Sequence, residues 1–294
     1  MNIFFDYLIP IFKYVAAAYV VFLIALYFLQ GFMIFAPYAS KAPSLDDFPF
    51  KDKTTALVVT SEDGLDITSW MIAPPMAASS AAAGVPQSDA LAAFNYTAPP
   101  IVIFFHGNAT HALYGATRAH GFMNAGYGYV MAEYRGYGGN KGRPSEQPIY
   151  SDVRLLIQRV MNDFPDHPIY LYGESIGTGI ATQMATEFDI AGLILEAPFA
   201  SVTALAQATY PFVPVRYLLR HRFENINKID SINAPLLIIH GENDGIIHPS
   251  NAKQLFNQAK DPKTLKIIKN AGHNDLLMYD SMQYSLDFIQ KTAN

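Results

Sequence analysis

The chain contains no cysteine. Disulfides, thiol nucleophiles and cysteine-ligated metals are therefore excluded, while the redox compartment stays open. Charge is also scarce: 15% of the 294 residues are charged and the net charge is −5. No basic run exceeds two residues, so no nucleic-acid footprint is expected. The eight histidines form no H-x-x-x-H or H-E-x-x-H pair, and a helical zinc site is not expected either. The glycine cluster from Gly136 to Gly142 lacks the G-K-[ST] ending of a phosphate loop. None of these patterns asks for a metal or a cofactor.

Apolar residues are plentiful, and most crowd the amino end. Tyr14 through Ala36 is a 23-residue stretch without charge. As a helix it would reach about 34 Å, against about 30 Å for the hydrocarbon core of a bilayer. Aromatic residues flank it, with Phe4, Phe5, Tyr7 and Tyr14 on one side and Phe32, Phe35 and Tyr38 on the other. A cleaved signal peptide would have a shorter apolar region, and Pro37-Tyr38-Ala39 makes a poor cleavage site. A core helix would show a polar face, which this run lacks. The expectation is a single-pass membrane anchor at residues 1–37. Lys13 precedes the span while Lys41, Lys51 and Lys53 follow it, so charge leaves the side of the membrane open.

Residues 38–54 then read as a juxtamembrane linker, and 55–294 as one α/β domain, a length that suits a single large core. Thr55–Thr60, the turn Glu62-Asp63-Gly64 and Leu65–Ile72 predict an antiparallel hairpin. Residues 76–99 are rich in Ala, Ser and Pro with one charge, and read as a flexible insertion, or as a helix in the Ala-rich part. Beyond residue 100 strands are predicted at 101–105, 128–133, 168–172, 192–196, 235–240 and 264–269. Helices are predicted at 114–125, 145–163, 176–188, 250–259 and 276–291. Continuous apolar strands alternating with amphipathic helices imply a mostly parallel sheet covered on both faces. Residues 200–232 are left over as a small cap.

In such sheets the chemistry collects at the carboxyl ends of strands. Gly173-Glu174-Ser175-Ile176-Gly177 lies between a strand and a helix, the context of a nucleophile elbow. A serine hydroxyl needs a neighbouring base. His273 stands after the last strand, where chain order would put that base. Asp244 follows the strand before it and is the expected partner for the Nδ1–H of His273. Glu242 and Glu196 fit on spacing alone. An oxyanion hole is expected from the backbone N–H groups of Ile176 and Asn108. His106 reads as a buried residue that holds its loop, and the remaining histidines as surface or core.

His106-Gly107-Asn108, Tyr134-Arg135-Gly136-Tyr137-Gly138, Gly142-Arg143-Pro144-Ser145-Glu146, the elbow, Glu196-Ala197-Pro198-Phe199, His240 to Asp244 and Gly272-His273-Asn274-Asp275 come in one order. Together they resemble the α/β-hydrolase fold. More narrowly, they resemble the membrane-anchored α/β-hydrolase domain-containing proteins 13 and 17, of which the latter are protein depalmitoylases. The resemblance implies a triad of Ser175, Asp244 and His273. The depalmitoylases have a cysteine-rich lipidated amino terminus, which this chain lacks, so attachment here would rest on the apolar helix.

The expected function is hydrolysis of an ester or thioester through an acyl-enzyme, at a membrane, without cofactor. The rivals are a serine peptidase of prolyl-oligopeptidase-like type and a non-catalytic protein on a hydrolase fold. Tyr210, Phe212, Val213, Tyr217, Leu218 and Leu219 offer either a wall for an acyl chain or the packing of a short helix.

Overall fold

Strands apolar on both faces belong in the middle of a sheet. In the computed structural model, which describes residues 2–37, 44–75 and 98–293, that is where they lie. Eight strands are joined in the order β1-β2-β4-β3-β5-β6-β7-β8. They are β1 (Thr54–Thr60), β2 (Asp66–Ile72), β3 (Ile101–Phe105), β4 (Gly128–Ala132), β5 (Ile169–Glu174), β6 (Gly192–Glu196), β7 (Leu236–Gly241) and β8 (Lys263–Ile268). All five residues of β3, β4 and β6 are buried. The pairs β1–β2 and β2–β4 are antiparallel, and every other pair is parallel.

Alternation along the strands divides the core in two. Ile101, Ile103 and Phe105 face one layer, with α3 (Glu146–Asp163), α4 (Gly177–Ala185) and α7 (Ser250–Gln258). Val102 and Phe104 face the other, with α2 (Ala116–Asn124) and α8 (Ser281–Thr292). In α3, Ile149, Val153, Leu156, Ile157 and Val160 recur on one face and are all buried. Each contributes about 1.5–3 kcal/mol by leaving water. A charge at Leu156 would therefore detach the helix.

This is an α/β-hydrolase fold, and its topology sets the site. The chain runs from β3 outward to β4, then returns past β3 to β5. Connections leave in opposite directions at β3 and β5, which opens a crevice at their carboxyl ends. There Phe105 pairs with Gly173, so the loop after β3 meets the turn after β5.

The expected elements are present, with local differences. The stretch expected as one helix at 276–291 is a 3-10 turn at Leu276–Met278 followed by α8, because Tyr279 is extended and interrupts it. A second 3-10 turn, Ala112–Gly115, leads into α2. The cap carries α5 (Val202–Thr209) and α6 (Val215–Leu218). Most of the 76–99 insertion, residues 76–97, lies outside the described residues, as does 38–43 of the linker. Residues 44–53 make two 3-10 turns, and Phe48 between them is buried beside α2.

The amino-terminal helix α1 spans Asn2–Ile34, and its stretch Leu8–Ile34 is long and apolar enough to cross a membrane. Residues 8–22 are exposed, but the last turns dock on the domain. Gln30 is buried; its amide donates to the Leu218 carbonyl at 3.1 Å and accepts from the Arg220 N–H at 2.7 Å. Phe35, 2% exposed, packs edge-on against His221 and Phe223. A boundary at residue 37 separates Phe35 from the pocket it fills.

Candidate active site

The turn after β5 leaves no room for side chains. A Cβ on Gly173 would lie 2.6 Å from the Gly177 carbonyl oxygen, and one on Gly177 would lie 2.1 Å from that of Phe105. The flanking glycines let the turn close tightly enough to force Ser175 into the left-handed region, at φ 51°. That conformation costs a non-glycine residue about 1–2 kcal/mol. Hydrogen bonds hold it: the Ser175 N–H donates to the Glu196 carbonyl at 2.9 Å, and Thr178 donates to the Ser175 carbonyl from both its N–H (3.0 Å) and its hydroxyl (2.6 Å).

The strand ends bring three distant residues together. His273 Nε2 lies 3.0 Å from Ser175 Oγ, and His273 Nδ1 lies 2.7 Å from Asp244 Oδ2. Asp244 is buried, and its Oδ1 accepts the N–H groups of Ile246 (2.9 Å) and Ile247 (2.7 Å). His240 approaches Oδ2 at 3.1 Å. Burial alone would raise the Asp244 carboxyl, but hydrogen bonds from His240, His273 and Ile247 outweigh it and hold the group well below the usual carboxylate range. Asp244 is thus an anion across the whole neutral range, aimed at His273.

The other two carboxylates that fitted on spacing point elsewhere. Glu242 is exposed. Glu196 is buried and bonded to Arg118 and to the Tyr172 hydroxyl. Arg118 also pairs at 3.0 Å with Glu174, the elbow residue before Ser175. Burial pushes Glu174 up, and the Arg118 guanidinium opposes that shift. This buried cluster went unread in the sequence, where Arg118 looks like one more helix arginine.

The loop after β3 completes the site. A Cβ on Gly107 would lie 3.5 Å from that of Ser175, so the loop runs alongside the nucleophile. The N–H groups of Asn108 and Ile176 have no acceptor among the described residues. His106 is fully buried, with Nε2 at 2.7 Å from Glu133 and Nδ1 at 2.7 Å from the Gly107 carbonyl. It stacks on Tyr134, whose hydroxyl donates to the His106 carbonyl. Sequence reasoning missed the Asn108 side chain. Its Oδ1 accepts from the Ala36 N–H (2.8 Å) and the Tyr137 hydroxyl (2.8 Å), and its Nδ2 donates to the Ile34 carbonyl (2.9 Å). The end of α1 is therefore tied to the loop beside Ser175. Tyr137, in the motif at 134–138, was the available signal.

Among the described residues, no group of three His, Cys, Asp or Glu side chains could hold a metal ion. The cap residues expected to wall an acyl chain divide in two. Tyr210, Val213, Leu218 and Leu219 line a cleft shared with α1, whereas Phe212 and Tyr217 are exposed. None of the residues lining that cleft belongs to the site around Ser175.

The chain matches the family model Hydrolase_4, serine aminopeptidase S33, over residues 97–227 and 215–278. It belongs to this family of hydrolases. An uncharacterized Mycobacterium tuberculosis protein, Rv2307c, is 34% identical over 194 residues, 65% of this chain and 69% of its own length. The human α/β-hydrolase domain-containing protein 17B is 34% identical over 149 residues, half of each chain. Among solved structures, the Pyrococcus furiosus esterase Pf2001 superposes with a TM-score of 0.63 at 16% identity, covering 84% of this hydrolase and 97% of the esterase. A Mycobacterium tuberculosis puromycin-hydrolyzing peptidase gives a TM-score of 0.64 at 18% identity, covering 82% of this hydrolase and 39% of the peptidase. At such identities these two structures speak for the fold.

Proposed function

We propose that this hydrolase cleaves carboxylic esters or thioesters, with Ser175 as nucleophile and α1 as a single-pass membrane anchor. The observation that carries the reading is the 3.0 Å contact between His273 Nε2 and a Ser175 hydroxyl raised on a left-handed turn. Ser175 Oγ attacks the carbonyl carbon while its proton passes to His273 Nε2. Asp244 holds the imidazole by Nδ1–H and stabilises the imidazolium. The oxyanion is received by the N–H groups of Ile176 and Asn108. His273 then returns the proton to the departing alcohol or thiol. Water, deprotonated by the same histidine, releases the acid and restores Ser175.

The family's aminopeptidase description favours a second reading, cleavage of a peptide amide by the same residues. One experiment separates these from a non-catalytic protein. A fluorophosphonate probe is expected to label the full chain in detergent, with labelling lost in Ser175→Ala and turnover reduced by about 10⁶. Equal labelling of Ser175→Ala would remove the enzyme assignment from this site. In a panel of p-nitrophenyl esters, acyl thioesters and aminoacyl amides, esters and thioesters are expected to dominate. Efficient turnover of the amides alone would transfer the assignment to peptidase.

A further inference from the structure

Helix α1 and the cap run side by side along much of the helix. The Tyr19 hydroxyl donates to the Phe212 carbonyl at 2.5 Å. Gln30, at the other end of the contact, bonds to Leu218 and Arg220. At 1.5 Å per residue, Tyr19 and Gln30 stand about 16 Å apart along the axis. The cap thus reaches well along the helix, away from the domain.

The cap is built for that position. From Ala197 to Val215 no residue is charged. Its tip is exposed all the same: Phe212 is 87% exposed and Tyr217 78%. Charge returns abruptly with Arg216, Arg220 and Arg222, all exposed. The Arg220 guanidinium lies 5.1 Å over the Tyr27 ring on α1. An arginine-aromatic collar suits the headgroup layer, where phosphates and amphipathic rings meet.

With that collar at the headgroups, the hydrocarbon-spanning stretch shifts from the uncharged run Tyr14–Ala36 toward the amino end. The 20 residues from Leu8 to Tyr27 extend about 30 Å, with Lys13 about 8 Å from the far edge, where its ammonium snorkels to the headgroups. Tyr19 then lies eight residues, about 12 Å, inside the leaflet. Phe212, bonded to it, lies at the same depth. We propose that the uncharged edge of the cap is immersed in the leaflet beside α1. The cleft between them, about 280 Å³ and lined by Leu26, Met33 and Ile34 from the helix and Val202, Val213 and Leu218 from the cap, holds an acyl chain of a membrane lipid. It ends at Ile34, whose carbonyl Asn108 binds beside the proposed nucleophile. This surface rests on the reading of α1 as a membrane anchor and leaves the chemistry at Ser175 untouched.

The cysteine-free chain makes the test direct. Phe212→Cys on the exposed tip and Lys260→Cys on a distant exposed site are each labelled with nitrobenzoxadiazole in the full chain, in phosphatidylcholine vesicles. The probe at 212 is expected to be blue-shifted, quenched by lipids with a doxyl group on the acyl chain, and at least threefold less quenched by iodide than the probe at 260. Iodide quenching of both probes alike would overturn the proposal. In parallel, a phosphatidylcholine with a mid-chain diazirine is photolysed with the unmodified protein. Adducts are expected in the peptide spanning 202–219 as well as in α1, and adducts confined to α1 would overturn the cleft's occupant. Fluorophosphonate labelling of the same vesicles reports Ser175 independently, so failure of the cap surface and failure of the hydrolase reading are told apart.

Discussion

Asp244 shows how far one side chain can be read before its surroundings are known. Its place after β7 made it the expected partner of His273, and the two side chains lie 2.7 Å apart. Four groups surround its carboxylate, and three of them come from its own stretch of chain, His240, Ile246 and Ile247. Replacement by asparagine removes the anion but leaves most of this packing. Asp244→Asn is expected to lower kcat by roughly 10⁴ through the wrong imidazole tautomer, with KM nearly unchanged. Steady-state kinetics on one ester would decide it. If Glu242→Gln were the damaging change and Asp244→Asn mild, the acid has been misassigned. Ser175 and His273 were legible for the same reason, since strand ends and glycines mark them locally. The side chain of Asn108 was not legible. Its partners Ile34 and Ala36 lie more than seventy residues away in sequence, and no local pattern encodes such a meeting. Glu196 was ambiguous until Arg118 and Tyr172 were seen to engage both of its oxygens.

Among the elements, the strands of the sheet were the most readable and the docking of α1 the least. β3, β4 and β6 are apolar on both faces because both faces are covered, and a run of that kind has few other uses. α1 is apolar all round for two different reasons, which composition cannot separate. Leu26 lines the cleft with the cap, whereas Leu29 is exposed. A residue that faces the cap and one that faces outward are of the same type here. The docking of α1 therefore emerges only in three dimensions. Phe35 gives it a measurable weight. Phe35→Ala would empty a buried site against His221 and Phe223, at a cost of about 3–5 kcal/mol. Chemical denaturation of the detergent-solubilised full chain should show a loss of that size. A change below about 1 kcal/mol would mean that the helix end adds little to the hydrolase body. The break in the last helical stretch was hidden for a related reason, as Leu276 and Ile289 are both buried and keep an apolar pattern across it.

For the molecule as a whole, the proposed immersion of the cap beside α1, where Tyr19 bonds Phe212, carries a kinetic consequence. A hydrolase whose cap shares a leaflet with its anchor meets its substrate by diffusion in two dimensions. Its velocity is then set by the mole fraction of substrate in the surface, not by the amount in the tube. Adding inert phosphatidylcholine at constant total substrate is expected to slow turnover of a long-chain lipid ester in proportion to the dilution, so that tenfold more lipid gives about a tenfold lower rate at low substrate fraction. Turnover of acetate esters dissolved in the buffer should be indifferent to the added lipid. A long-chain rate that ignored surface dilution would place its substrate encounter in water. On the membrane reading, regulation would fall to whatever concentrates or dilutes the substrate within its own sheet of lipid, a variable with no counterpart for an enzyme in free solution.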